Sequence, residues 1–338
     1  MRVRRLFLQT PAITFFCYCV AICTGASAEG TQPYTEHGAP DLQGIWDFGT
    51  KTAFQRPPAL GEKRAYTPEE ASDVEAKERE ANRKMDAPID LSRGAPTAGG
   101  KIGQEADADS MERRHDLTRV GGEYRTSIII DPLDGQIPRR KDFVDFFGQI
   151  AQRQLAPTDG PDTLDAPTRC LSPLPVPTIY PMPWNALLQI VQTKDHVLLY
   201  TEMVHDARIV RLGEDHTNRG QKLWLGDSIG RYEGDTLVVH TIDFRPEQSY
   251  AYIMPMSDQF ELTERYTRVS EHEIVYSFTV LDEKAYTRPF TGERTLKRAH
   301  PRDRILEFAC HEGNYSMTGI LAGARKQDAA VPLPAKTQ

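Results

Sequence analysis

The chain has 338 residues, 39% hydrophobic and 26% charged, with a formal net charge of −7. That length suits one large domain or two modest ones. A net negative charge with no basic run and no aromatic–basic interleaving excludes nucleic acid as the expected partner.

The amino end reads as an export signal. Arg2, Arg4 and Arg5 make a cationic start, Ala12 to Cys23 an apolar stretch too short for a bilayer, and Ala26-Ser27-Ala28 offers small residues at a cleavage site. Cys23 is a poor lipid-attachment site because Ile22 stands where a small residue is needed. A periplasmic or secreted product is therefore expected. No later stretch approaches the roughly 18 apolar residues of a membrane span. Removing residues 1–28 takes the net charge to about −10 and leaves two of the five cysteines, Cys170 and Cys310. An even pair in an exported chain reads as one disulfide, closing a loop of about 140 residues; two buried free thiols are the alternative.

Downstream, Pro40-Asp41-Leu42-Gln43-Gly44-Ile45-Trp46 reads as a first strand whose indole plugs one end of a barrel or sits in a core. Thr67-Pro68-Glu69-Glu70 is a helix start, with Thr as N-cap, Pro at the first position and Glu closing a capping box. That helix should reach Lys84 on the surface. Ala87 to Met111 lacks apolar patterning and reads as a mobile loop. Thr126 to Asp131 predicts a strand. Phe143, Phe146, Phe147 and Ile150 mark one face of a short helix. Eight prolines in 156–184 predict an extended connector around Cys170.

Beyond Trp184, strands alternate with tight turns at 187–192, 197–203, 207–212, 228–232, 236–244, 260–269, 273–281, 287–298 and 304–310. A helix should then span Asn314 to Lys326. The fold class that follows is mainly β: an antiparallel lipocalin-like barrel or sandwich with a few peripheral helices. The expected organisation is a signal (1–28), an N-terminal segment packing on the barrel (29–160), a barrel with its C-terminal helix (161–327) and a disordered tail (328–338).

These segments together resemble a large family of exported bacterial proteins with no settled activity. The resemblance rests on Pro40–Trp46, Arg125–Pro138, Arg169-Cys170, Gln189–Leu212, Gly226–Val239, Glu264–Val269, Tyr286–Phe290 and Ala309–Arg325. It implies export and pairing of the two cysteines, and it supplies no reaction. His240 departs from the family pattern and is given no role.

Two ionisable clusters are candidate acid–base groups. His205 and Asp206, with Arg208, follow a strong strand, and strand ends at a barrel mouth are where polar groups converge on ligands. Adjacent strand residues point to opposite faces, so both can meet one ligand only if a turn intervenes. A turn aspartate beside a surface histidine is the alternative. His311 and Glu312 follow Cys310, with Asn314 and Tyr315 close by; they could equally cap the last helix. If the disulfide holds this turn beside 205–208, acid and base meet. A two-His, one-carboxylate metal site there is a lesser alternative, because no metal-ligand spacing is present.

Arg231 and Glu233, within a polar hairpin that also holds Asp227 and Asp235, are better read as a surface ion pair than as an anion site. Trp184, Tyr180, Tyr250, Tyr252, Met254 and Met256 are candidates for lining a pocket or filling a core. Glycine-rich nucleotide loops and serine elbows are lacking, so no cofactor is expected. Two functions remain. One is an acid–base lyase, isomerase or hydrolase on an apolar or aromatic substrate, with His205, Asp206, His311 and Glu312 catalytic and Arg208, Arg231, Tyr315 and Trp184 binding. The other is a non-catalytic carrier of such a molecule.

Overall fold

A computed structural model describes residues 33–88, 92, 114–152, 158–172, 174–217, 220–248 and 253–330. The expected leader, nearly all of the loop at 87–111 and the tail beyond 330 lie outside them. Strand β1 (Gly44–Asp47) is followed by β2 (Ala65–Tyr66) and helix α1 (Pro68–Met85). The capping box forms as read: Glu70 N–H donates to Thr67 Oγ1 at 3.2 Å, and Thr67 N–H to Glu70 Oε2 at 2.9 Å. Next come β3 (Arg119–Val120), β4 (Glu123–Arg125) and β5 (Ile129–Asp131), so the strand expected at 126–131 is shortened to its last three residues. Ser127 and Ile128, ahead of it, are fully buried. Helix α2 (Phe146–Gln152) precedes the proline-rich connector.

The staves then run β6 (Leu187–Gln192), β7 (His196–Thr201), β8 (Ala207–Leu212), β9 (Asp227–Glu233), β10 (Thr236–Ile242), β11 (Glu261–Arg268), β12 (Glu273–Leu281) and β13 (Phe290–Arg298), before helix α3 (Tyr315–Ala330). Each pairs with its successor. β1 pairs with both β6 and β13, which closes a nine-stranded barrel; β5 pairs with β13, and β2, β4 and β3 form a separate small sheet. Two expectations are corrected here. Residues 304–310 are irregular, because the edge of β13 is already taken by β1. The meander is also not wholly antiparallel, since β8 and β9 run parallel, Val210 opposite Ser228. A parallel neighbour needs a crossover of about a dozen residues, and the long link from Leu212 to Asp227 provides it.

The Gly44–Trp46 segment earns its glycine. Gly44 has φ +124°, and any Cβ there would collide with the Arg298 guanidinium. Arg298 lies 3.9 Å over the Trp46 ring and donates to the Gln43 carbonyl at 2.8 Å. A cation over a partly desolvated indole contributes about 1–2 kcal/mol.

Inward side chains fill the barrel. Strand β11 alternates strictly and turns Leu262, Glu264, Tyr266 and Arg268 inside. Glu264 accepts from Arg208 Nη2 at 2.9 Å, Tyr266 Oη at 2.8 Å and Tyr276 Oη at 3.0 Å, with a second contact from Arg208 Nη1. Arg208 also donates to Thr241, which shares a 2.9 Å hydrogen bond with Ser228. The connector plugs one opening with Val176, Pro177, Thr178 and Ile179, all buried. Arg294, fully buried over the Phe48 ring, donates to the carbonyls of Thr178 and Tyr180 and ties plug to wall. Burial pushes its guanidinium down to about 10.

Candidate functional site

The main groove among the described residues lies outside the staves. With a volume of about 900 Å³, it lies beside the barrel, between residues 50–54, the end of α1, the connector, the β7–β8 turn and the 308–310 segment. Its walls are mainly apolar: Phe54, Leu171, Tyr180, Met182, Trp184, Met203, Val204, Ile253 and Phe308, with Met85 at the end of α1. Tyr180 is braced by an edge contact with Phe54 at 5.0 Å. Polar groups enter from one side only, as Thr50, Lys51, Thr52, Asn82 and Arg114. Lys51 pairs with Glu78 at 3.1 Å, and Arg114 pairs with Asp47.

Cys170 and Cys310 also line the groove, and their sulfurs stand at disulfide distance, 2.07 Å apart. Cys170 sits in the left-handed region at φ +57°, ending a 3-10 turn at 167–169. Asn314 Nδ2 donates to the Thr168 carbonyl at 2.9 Å, which brings the start of α3 to the same wall.

The β7–β8 turn is strained. Val204, a β-branched residue, adopts φ +60°, and His205 follows at +47°. Such conformations cost about 1–3 kcal/mol and persist where surrounding structure imposes them. The turn is anchored at Glu202, nearly fully buried, whose carboxylate accepts from Leu306 N–H at 3.0 Å and whose carbonyl accepts from His205 N–H at 3.1 Å. The twist sends Met203 and Val204 into the groove and His205 outward.

The expected site residues therefore separate. His205 is exposed in a shallow depression with Tyr200 and residues 305–308. Asp206 turns inward beside Arg208, Thr201 and Tyr266, around a void of about 10 Å³, the volume of a single water. Burial raises the Asp206 carboxyl to about 6, against an opposing pull from His205. Arg208 faces the barrel interior, committed to Glu264. His311, Glu312 and Tyr315 are exposed on the turn into α3. Among the described residues, no hydrogen bond or ion pair joins His205, Asp206, His311 and Glu312 to one another, and no imidazole or carboxylate lines the groove. Arg231 pairs with Glu233 at 2.9 Å in an exposed hairpin, while Asp235 accepts from Tyr34 at 2.7 Å. Trp184 and Tyr180 line the groove; Met254 and Met256 are core, and Tyr250 and Tyr252 lie outside the described residues.

No family model matches the chain, and no curated protein or solved structure matches it either. Among the described residues, no group of three or more His, Cys, Asp or Glu converges as a metal centre would. No helix there is long and apolar enough to cross a membrane. The groove residues that sequence reasoning missed, Phe54, Met203, Ile253 and Arg114, come from four separate segments. Only Met182, within two residues of Tyr180 and Trp184, carried a local signal.

Proposed function

We propose that the protein binds an apolar or aromatic small molecule in the groove beside the disulfide. The observation that carries this reading is a groove of about 900 Å³ with aromatic and methionine walls and polar groups on one side. Ligand pockets have that size and lining, and methionine adapts to ligands of varied shape. Among the described residues, the void beside Arg208 and Tyr266 in the barrel holds only about 10 Å³. The lipocalin-like reading is thus kept for the winding of the staves and the Gly44–Trp46 strand, with the ligand seat outside them. Export to a periplasm or beyond belongs to the same proposal. A cysteine pair at bonding distance persists in oxidising compartments, and the family resemblance points the same way. Nucleic acid and membrane are not proposed partners.

Titration with N-phenyl-1-naphthylamine, a neutral aromatic probe, tests this. Saturable binding at one site is expected, and Trp184→Ala should weaken it about tenfold, as loss of an aromatic anchor does. No saturable binding, or wild-type affinity in both Trp184→Ala and Phe308→Ala, would overturn it.

Acid–base catalysis is the second reading, on the Asp206 carboxyl that burial raises to about 6, and it needs a site other than the groove, which no imidazole or carboxylate among the described residues lines. His205 stands beside Asp206, and His311 and Glu312 follow the Cys310 anchor. Mass spectrometry of a bound compound before and after incubation decides: conversion by the wild type that His205→Ala and His311→Ala abolish supports catalysis, and an unchanged compound removes it.

A further inference from the structure

Far from the groove residues, His216 and His240 form a second polar arrangement. His240 lies on the outer face of β10, between the inward-facing Val239 and Thr241. His216 comes from the crossover between β8 and β9 and reaches across to it. Nε2 of His216 and Nδ1 of His240 are 2.9 Å apart, with the rings inclined at 68°. The outer nitrogen of each ring faces a carboxylate: Asp227 Oδ2 is 3.1 Å from His216 Nδ1, and Glu261 Oε2 is 3.6 Å from His240 Nε2. Asp227 is held in turn by Arg211 at 2.6 Å and by the Thr217 N–H at 3.0 Å.

Imidazoles that ligate metals characteristically carry a carboxylate on the other nitrogen, which fixes the tautomer and raises ligand basicity. Here both rings do. The neighbouring cations are already engaged, Arg211 with Asp227 and Glu214, and Arg231 with Glu233. The side chains of His216 and His240 are 17% and 31% exposed, so an ion and its waters can reach them.

We propose that His216 and His240 bind a divalent ion of the Cu²⁺ type, in place of the hydrogen bond that the two rings share. Two imidazole nitrogens with water in the other positions suit Cu²⁺ or Ni²⁺ in a square-planar or tetragonal site, and Cu²⁺ leads in affinity. The rings, now hydrogen-bonded at 2.9 Å, turn to bring both nitrogens onto the ion. The proton now between the rings moves to His240 Nε2, toward Glu261, so the exchange is a tautomer switch and no proton need be lost.

The test is a titration of the full chain with Cu²⁺ against a chromophoric chelator, together with continuous-wave electron paramagnetic resonance. One equivalent should bind, with superhyperfine splitting from two imidazole nitrogens. His216→Gln and His240→Gln should each lower affinity at least tenfold and leave a one-nitrogen pattern. Glu261→Gln, which keeps both ligands, should lower it about tenfold, and Zn²⁺ should bind more weakly than Cu²⁺. Fewer than two imidazole nitrogens in the wild-type spectrum, or Cu²⁺ affinity unchanged in both histidine variants, overturns the proposal. The wild-type spectrum decides even if a histidine variant fails to fold.

Discussion

Glu264 organises the polar interior because one carboxylate serves three side chains from two other staves and its own: Arg208 on β8, Tyr276 on β12 and Tyr266 on β11. Removing one partner leaves the other buried and uncompensated, a loss of about 3–5 kcal/mol. Glu264→Gln should therefore shift the urea midpoint strongly, with Arg208→Met/Glu264→Leu recovering much of the loss; a double variant as damaged as the sum of its two single variants would show that the pair is not coupled. Asp206 gives the opposite case, a carboxyl held back from ionising. Its folded value near 6 lies above the ordinary carboxylate range. Below about pH 4 both folded and unfolded chains keep the proton, and as pH rises toward 6 the unfolded chain releases it first. This group's contribution to stability accordingly falls between pH 4 and 6. Asp206→Asn should match the wild type near pH 4 and exceed it at pH 7 in chemical denaturation; a parallel pH dependence of the two proteins would sink the assignment. Neither role was legible beforehand. Glu264 and Arg208 are far apart in sequence, and the alternation of β11 shows which residues share a face without showing which face is inside.

At the scale of elements, the disulfide replaces a strand. Residues 304–310 have no place on the sheet, so they depend on Cys310, on the Leu306–Glu202 hydrogen bond and on Phe308 against the core. Cross-linking positions 140 residues apart restricts the unfolded chain by up to about 5 kcal/mol. Cys170→Ser/Cys310→Ser should lower the melting temperature and weaken naphthylamine binding, because both sulfurs line the groove. An unchanged melt with unchanged binding would mean that the hydrogen bond and Phe308 suffice. Much of this layer was legible. The capping box and the eight staves from Leu187 to Arg298 follow from local patterns of spacing and turn chemistry, and the paired cysteines from their even count once residues 1–28 are set aside. The parallel β8–β9 neighbour and the strained Val204 turn were not, because both are imposed by partners distant in the chain.

For the whole molecule, the decisive contact is the longest one. β1 lies between β6 and β13, with Trp46 opposite both Leu188 and Arg298. A boundary near residue 160 makes the first strand an accessory that packs on a finished barrel, whereas in the structure it is the ninth stave. The two views differ in what removing it does. Without β1, β6 loses an edge partner and β13 keeps only β5 on that edge, the Arg298 stack is lost, and the Gln192 side chain loses the Pro40 carbonyl to which it donates at 2.9 Å and the Leu42 N–H from which it accepts at 2.6 Å, keeping only Tyr232. Unsatisfied buried groups of this kind cost about 1–3 kcal/mol each, against a total stability of only about 5–15 kcal/mol. A chain beginning at residue 58 should therefore show no cooperative heat-absorption peak in calorimetry, while Trp46→Ala in the full chain keeps the peak at a lower temperature. A sharp transition in the shortened chain close to that of the full one would mean that residues 161–327 close without β1, and the closure argument would fail.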